Sequence, residues 1–295
     1  MCGPAGELAP LPEPASRLFL RAGFPRPGTI LVYAALLLAM IQAIGPVIWI
    51  ISGSLKTRQQ FYTDPWALPS TWQFRNYSDA FVTARVGDYL GNSLIVVTLG
   101  ILLLVLSAAT TAYALARIRF RGRSAVLLVI LATMMVPPDI LTIPLFAILR
   151  SLGLLGTFFG LACVYAAGGY GMSVLLLRSY FMAVPLELED AARLEGAGTV
   201  AIFRHVVLPM ALPGFLTVII IQAMGMWNDL YLAFVFLRAA DKATVPVGLL
   251  NFFQRSAVDW PTLLAALTTL TLPVLILFTL FQRRFVEGYM AGAVK

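Results

Sequence analysis

The chain has 295 residues, 60% of them hydrophobic and only 12% charged, with a formal net charge of +7 and a mean hydropathy of +0.87. Soluble domains carry roughly a quarter charged residues, so this composition excludes a water-soluble globule. Two cysteines, Cys2 and Cys163, and one histidine exclude a disulfide framework and a Cys/His metal centre. The basic excess sits at the ends of apolar runs rather than along a polar face, which excludes a nucleic-acid surface.

In chain order, residues 1–28 hold Pro4, Pro10, Pro12, Pro14, Pro25 and Pro27 without helical periodicity, and are expected to form a disordered cytoplasmic tail. Crossing a bilayer takes about 20 apolar residues. Six runs qualify: 27–55, 89–116, 124–149, 151–177, 205–228 and 260–282. The first exceeds the roughly 7–15 residues of a signal-peptide core, so 29–55 is expected to be a retained first transmembrane helix. Residues 56–88 then form an external loop rich in aromatic side chains, among them Trp66, Trp72 and Phe74. Such a loop suits either an interfacial belt or a docking surface. The third run is interrupted by Asp139 and bent by Pro137, Pro138 and Pro144.

Six spans place both termini on one side. Short loops that stay in the cytoplasm are enriched in Lys and Arg. The dense cluster Arg117, Arg119, Arg121 and Arg123 after the second run therefore puts the termini inside, and 285–295 becomes a cytoplasmic tail. The expected fold class is an all-α polytopic membrane protein with six transmembrane helices.

Transport against a gradient needs energy, and a phosphate-binding loop requires a Gly-Lys pair. The three lysines follow Leu55, Asp241 and Val294, so the chain has no such loop. One histidine, His205, does not suffice for H-E-x-x-H, and no Ser, His and acid fall in a recognisable pattern. No catalytic residue, no metal ligand and no cofactor bound by this chain are expected.

The internal segment 178–205 breaks the apolar pattern. Pro185 suits the start of a helix, and Glu187, Glu189 and Asp190 put negative charge where the helix dipole favours it. Gly196 and Gly198 stop it. Thr199 is placed to cap a second helix that runs through Pro209 and Pro213 into the fifth span. Ala191, Ala192 and Gly196 lack bulk, so the predicted helix-turn-helix at 185–204 has a small face that another surface can approach closely.

The stretch Asp190-Ala191-Ala192-Arg193-Leu194-Glu195-Gly196, followed after nine residues by Val206-Val207-Leu208-Pro209, resembles the EAA motif of ABC-importer permeases, E-A-A-x3-G-x9-I-x-L-P. Asp190 stands for the usual Glu and Val206 for the usual Ile. Similarity to the MalG-like carbohydrate branch extends over Leu68-Pro69-Ser70-Thr71-Trp72, Asn92-Ser93, Ala112 to Arg117, Trp227-Asn228-Asp229 and Gly292 to Lys295.

The resemblance implies the type I ABC importer permease fold, with residues 89–284 as the transmembrane core and a coupling helix between the fourth and fifth spans. It implies a second, homologous permease as heterodimer partner, two copies of an ATP-binding subunit that use ATP and Mg, an extracytoplasmic solute-binding protein, a sugar substrate, and a bacterial or archaeal plasma membrane. The coupling residues carried over are Glu189, Asp190, Ala191, Ala192, Gly196, Leu208 and Pro209. Asp190 would be the acidic contact to the ATPase and Leu208-Pro209 a rigid link into the fifth span. Trp227, Asn228 and Asp229 are candidates for the substrate pathway, since sugar sites combine aromatic faces with polar groups. The rival reading is an ion-coupled secondary transporter, which needs a central ion site and commonly has inverted repeats.

Overall fold

The computed structural model describes residues 27–83, 85–253 and 259–293. They are predominantly helical, with no strand among them. The expected tail at 1–28, apart from its last two positions, lies outside the described residues, as do Val294 and Lys295.

The chain divides into two bodies, 1–49 and 50–295. The described part of the first is most of α1 (Pro27–Ser54), which carries Pro46 and no charged residue. Its stretch Leu31–Ser54 has 24 residues, about 36 Å of helix at 1.5 Å per residue, enough for a hydrocarbon core of about 30 Å.

The second body begins with a polar knot just after α1. Lys56 is wholly buried, and its Nζ donates to the carbonyls of Asp64 at 3.2 Å and Pro65 at 2.8 Å. Asn76 Nδ2 donates to the carbonyls of Ser54 and Lys56 at 2.8 and 2.9 Å. These bonds fold residues 56–77 back over the end of α1. Two short helices form there, α2 (Arg58–Thr63), capped by the Thr57 hydroxyl, and α3 (Arg75–Val82).

The core is built on α4 (Val86–Arg117) and α7 (Phe158–Ala183), which make the most extensive helix pairing. Apolar helices gain little from burial when lipid is the alternative, so small residues that allow close approach decide which of them pack. Gly100, Ala108 and Ala112 on α4 and Ala162, Ala166 and Gly171 on α7 are buried. A Cβ added at Gly100 would lie 3.7 Å from the Ala162 carbonyl oxygen.

Between them the expected third run is split into α5 (Arg123–Thr133), a 3₁₀ turn at Pro138–Leu141 and α6 (Thr142–Ser151). Pro137 and Pro138 lack N–H donors, and a proline drives the residue before it out of helical geometry. Pro144 sits in the first turn of α6, where the N–H has no intrahelical partner to lose. Gly171 serves packing, since a Cβ there would meet Met134 of the α5 end at 2.7 Å.

After α7 come α8 (Leu186–Leu194), α9 (Thr199–Ile202), a π-turn at Phe203–Val207, α10 (Leu208–Met210), α11 (Leu212–Asn228), α12 (Tyr231–Phe236), α13 (Val245–Phe253) and α14 (Trp260–Ala293). Asn92 and Ser93 of α4 hold the segment before α13. Asn92 Nδ2 donates to the Asp241 and Ala243 carbonyls at 2.9 and 3.0 Å, and Ser93 Oγ accepts from Val245 N at 2.9 Å.

Among the described residues α1, α4 and α7 are individually long and apolar enough to cross a membrane, and Thr199–Met210 with Leu212–Asn228 form a fourth candidate bent by 73°. The six expected runs overlap α1, α4, the broken pair α5 and α6, α7, α11 and α14, but α7 starts at Phe158 rather than 151, and the fifth run, expected from 205, is straight only from Leu212 onward.

Gly214 of α11 lies against Tyr180 of α7, where an added Cβ would stand 2.5 Å from the ring and 2.9 Å from Tyr180 Cβ. The obstruction includes the root of the side chain, so a rotamer change does not relieve it. Gly214→Ala is expected to destabilise the fold by about 1–3 kcal/mol, read as a lower Tm of the purified protein in detergent; an unchanged Tm would contradict the packing.

Candidate functional site

The segment that broke the apolar pattern forms a helix-turn-helix after α7. Helix α8 starts after Pro185, with Glu187 and Glu189 in its first turn and Arg193 in its last, matching the helix dipole at both ends. It ends in a Schellman motif: Gly196 N donates to Arg193 O at 3.0 Å and Ala197 N to Ala192 O at 3.0 Å. Gly196 adopts φ +85°, a left-handed conformation that glycine takes without a Cβ penalty.

The two sides of α8 differ in kind. Glu189 is 0% exposed. Its Oε1 lies 2.7 Å from Nε of Arg117, the last residue of α4, whose side chain is only 6% exposed. The contact is ionic rather than a well-directed hydrogen bond. Arg117 turns its Nη2 to the carbonyls of Phe181 and Val184, where α7 ends. The second Glu189 oxygen lies 3.3 Å from Arg193 Nη2, and Arg193 Nη1 donates to Asp190 Oδ1 at 2.7 Å. The opposite side is open: Asp190, Ala191 and Gly196 are exposed, Leu194 is 91% exposed, and Val200 of α9 is 79% exposed.

Beneath the loop lies an aromatic cluster. Phe181 of α7 is fully buried and meets Tyr113 of α4 at 6.0 Å, Phe203 of the π-turn at 5.9 Å and Phe215 of α11 at 5.8 Å between ring centroids. Tyr113 and Phe203 are 5.0 Å apart, edge to face. Such pairs contribute about 0.5–1.5 kcal/mol each beyond simple burial. The loop is therefore seated on three helix ends.

Of the residues singled out from the sequence, Asp190, Ala191 and Gly196 share the open side, whereas Glu189 points inward and Ala192 packs against the core. Ala192 and Gly196, expected one turn apart on one face, are thus split between two surfaces, because α8 ends at Leu194 and Gly196 lies beyond it in a left-handed turn, while Ala191 points away from Ala192 because a helix turns 100° per residue. Leu208 is half-buried and Pro209 exposed. They precede the 73° bend at Ala211, so the link into α11 is a turn rather than a continuous rod. Sequence reasoning missed Arg117 as a site residue; its only signal was a cation placed at the end of a span.

Trp227, Asn228 and Asp229 point to different places. Trp227, 7% exposed, lines an apolar cavity of about 450 Å³ with α4 residues such as Leu94 and Ile101 and with Pro273 of α14. Asn228 turns its amide back to the Met224 carbonyl at 2.8 Å. Asp229 Oδ2 accepts from the Tyr165 hydroxyl at 2.8 Å and from Ala233 N at 3.0 Å, tying the start of α12 to α7. Among the described residues no group of three or more His, Cys, Asp or Glu is placed to hold a metal.

Several bilayer-length apolar helices, with an amphipathic helix-turn-helix packed on the ends of α4 and α7, define a multi-pass membrane protein. Residues 105–289 match the family described as "Binding-protein-dependent transport system inner membrane component", and the chain belongs to that family. It is 35% identical over 268 residues to the probable ABC transporter permease protein YurM of Bacillus subtilis, covering 91% of this chain and 89% of YurM. It is 34% identical over 265 residues to the diacetylchitobiose uptake system permease protein NgcG of Streptomyces coelicolor, covering 89% of this chain and 88% of NgcG. A chain in the crystal structure of a bacterial ABC transporter involved in the import of the acidic polysaccharide alginate superposes with a TM-score of 0.76 at 25% identity, covering 93% of this chain and 99% of that one.

The two hydrogen bonds at Asp229 lead to a stability effect. Asp229→Ala leaves the Tyr165 hydroxyl, on a residue only 6% exposed, without its acceptor, and is expected to lower stability by about 1–3 kcal/mol. Thermal unfolding of the purified variant measures it. A wild-type Tm would mean that the contact adds nothing to the fold.

Proposed function

We propose that this chain is one of two homologous permease subunits of an ATP-driven, binding-protein-dependent sugar importer. Each permease forms half of the pathway, and α8 is the element by which a separate ATPase drives the change of access. The observation that carries this reading is the division of α8: an open side with Asp190, Ala191, Leu194 and Gly196, and an inner side locked by the buried Glu189. A strongly exposed leucine beside small residues, on a helix that is rigidly seated, suits insertion into a cleft of another protein. Relatives named for diacetylchitobiose uptake and for alginate import support a carbohydrate substrate.

The mechanism follows from that geometry. Two ATPase copies, binding ATP and Mg, close on each other and draw together the docked α8 helices of the two permeases. The cavity between the permeases then opens to the extracytoplasmic side, where the binding protein delivers sugar, and hydrolysis returns it inward. Both termini and α8 lie in the cytoplasm of a bacterial or archaeal cell, the segment 56–88 lies outside, and lipid surrounds the rest. Trp227, Asn228 and Asp229 stay pathway candidates on the resemblance alone, since the cavity beside Trp227 is apolar and the Asn228 and Asp229 side chains bond to the Met224 carbonyl and the Tyr165 hydroxyl.

The test uses the assembled importer. Leu194→Cys is expected to form an oxidative cross-link with a cysteine placed in the ATPase cleft. Leu194→Asp, which puts a charge where an apolar contact is needed, is expected to reduce ATP-dependent uptake by about tenfold or more, as loss of an interface anchor worth over 1–2 kcal/mol does. Thiol labelling of the Leu194→Cys variant at that position from outside intact cells would refute the proposal.

A further inference from the structure

On the reading that α8 is the docking helix, we propose that Arg117 and Glu189 form the clamp that delivers its displacement to the transmembrane core, through α4 and α7 rather than along the chain into α11. Two routes lead away from α8. The covalent one passes through Gly196, Ala197 and Gly198, then α9 and the π-turn, and bends by 73° before α11. A Cβ added at Gly196 would meet nothing within 4 Å. Along this path the ring contacts of Phe203 lead to Tyr113 of α4 and Phe181 of α7.

The second route is short and buried. Arg117 is the last residue of α4, and its guanidinium touches Glu189 on α8 and the Phe181 and Val184 carbonyls at the end of α7. Three helices therefore meet at one side chain. The planar fork of arginine reaches three acceptors at once, which a lysine ammonium on a flexible stem does not match. Its charge also complements the negative end of the α7 dipole. Burial removes the screening that weakens surface ion pairs.

From Glu189 the contacts continue outward through Arg193 to Asp190. An unbroken series of charges thus runs from the exposed Asp190, through Arg193, Glu189 and Arg117, to the backbone of α7. A force applied at the docking face enters α4 and α7, the most extensively paired helices among the described residues, within four residues.

The experiment compares Glu189→Gln and Arg117→Lys in the complete importer reconstituted in proteoliposomes. It measures sugar uptake per ATP hydrolysed, alongside the cross-link that Leu194→Cys makes to the ATPase. The clamp predicts that uptake per ATP falls about tenfold, within the range found when coupling residues are altered, while the cross-link still forms. A merely structural role would lower the amount of complex but leave the ratio unchanged, and an unchanged ratio overturns the clamp. Should the buried variants fail to accumulate, Arg193→Ala decides, because it removes only the half-exposed arm. A ratio lower by about threefold supports the clamp, and an unchanged one overturns it. Absence of the cross-link when Leu194→Cys is the only change in the permease would instead refute the docking reading, so the two failures are told apart.

Discussion

The buried pair of Arg117 and Glu189 is the constraint around which the α8 end of this permease is organised. Taking two charges out of water costs several kcal/mol per ion, and their mutual attraction offsets this only when further polar partners complete the set. Here two backbone carbonyls and Arg193 supply those partners. The consequence is an all-or-none arrangement. Removing either member leaves an uncompensated charge inside the protein, so α8 has one stable seat. That single seat makes a nine-residue helix, far too short to be stable alone in water, into a defined surface.

The aromatic cluster completes the seat. Phe181 lies between Tyr113, Phe203 and Phe215, so the ends of α4, α7 and α11 and the π-turn share one packed centre. Ring packing spreads over a broad apolar area, whereas the ion pair fixes one point at short range. Together they hold the loop in place. In a bilayer, where apolar contact between helices has little advantage over contact with lipid, such polar and aromatic devices at the helix ends carry much of the specificity.

How far the sequence could be read depended on the type of signal. Six apolar runs, the basic cluster after the second, and the Pro185 and Gly196 boundaries of α8 were all visible, since each reflects a local preference: hydrophobic length, charge, fixed φ or tolerated positive φ. The EAA-like spacing pointed to the family that the match over residues 105–289 establishes. The break at Pro137-Pro138 was foreseen as a bend, and the structure resolves it into two helices with a 3₁₀ turn between them. Less visible was orientation. Glu189 and Asp190 are adjacent acids of the same charge, yet one is sealed inside and the other exposed, because only one of them faces the end of α4. The same holds for Ala191 and Ala192.

Amino-acid order alone settled that this is a helical membrane protein without a Gly-Lys phosphate-binding motif, and where its apolar runs lie, because those properties depend on residues within a few positions of each other. The tertiary structure decided which charges meet. Arg117 and Glu189 are 72 positions apart in the sequence, and Tyr165 and Asp229 are 64 apart. No periodicity links such residues. They are brought together by the packing of α4 and α7 and by the bend before α11, and only a folded chain can specify a contact made across that distance.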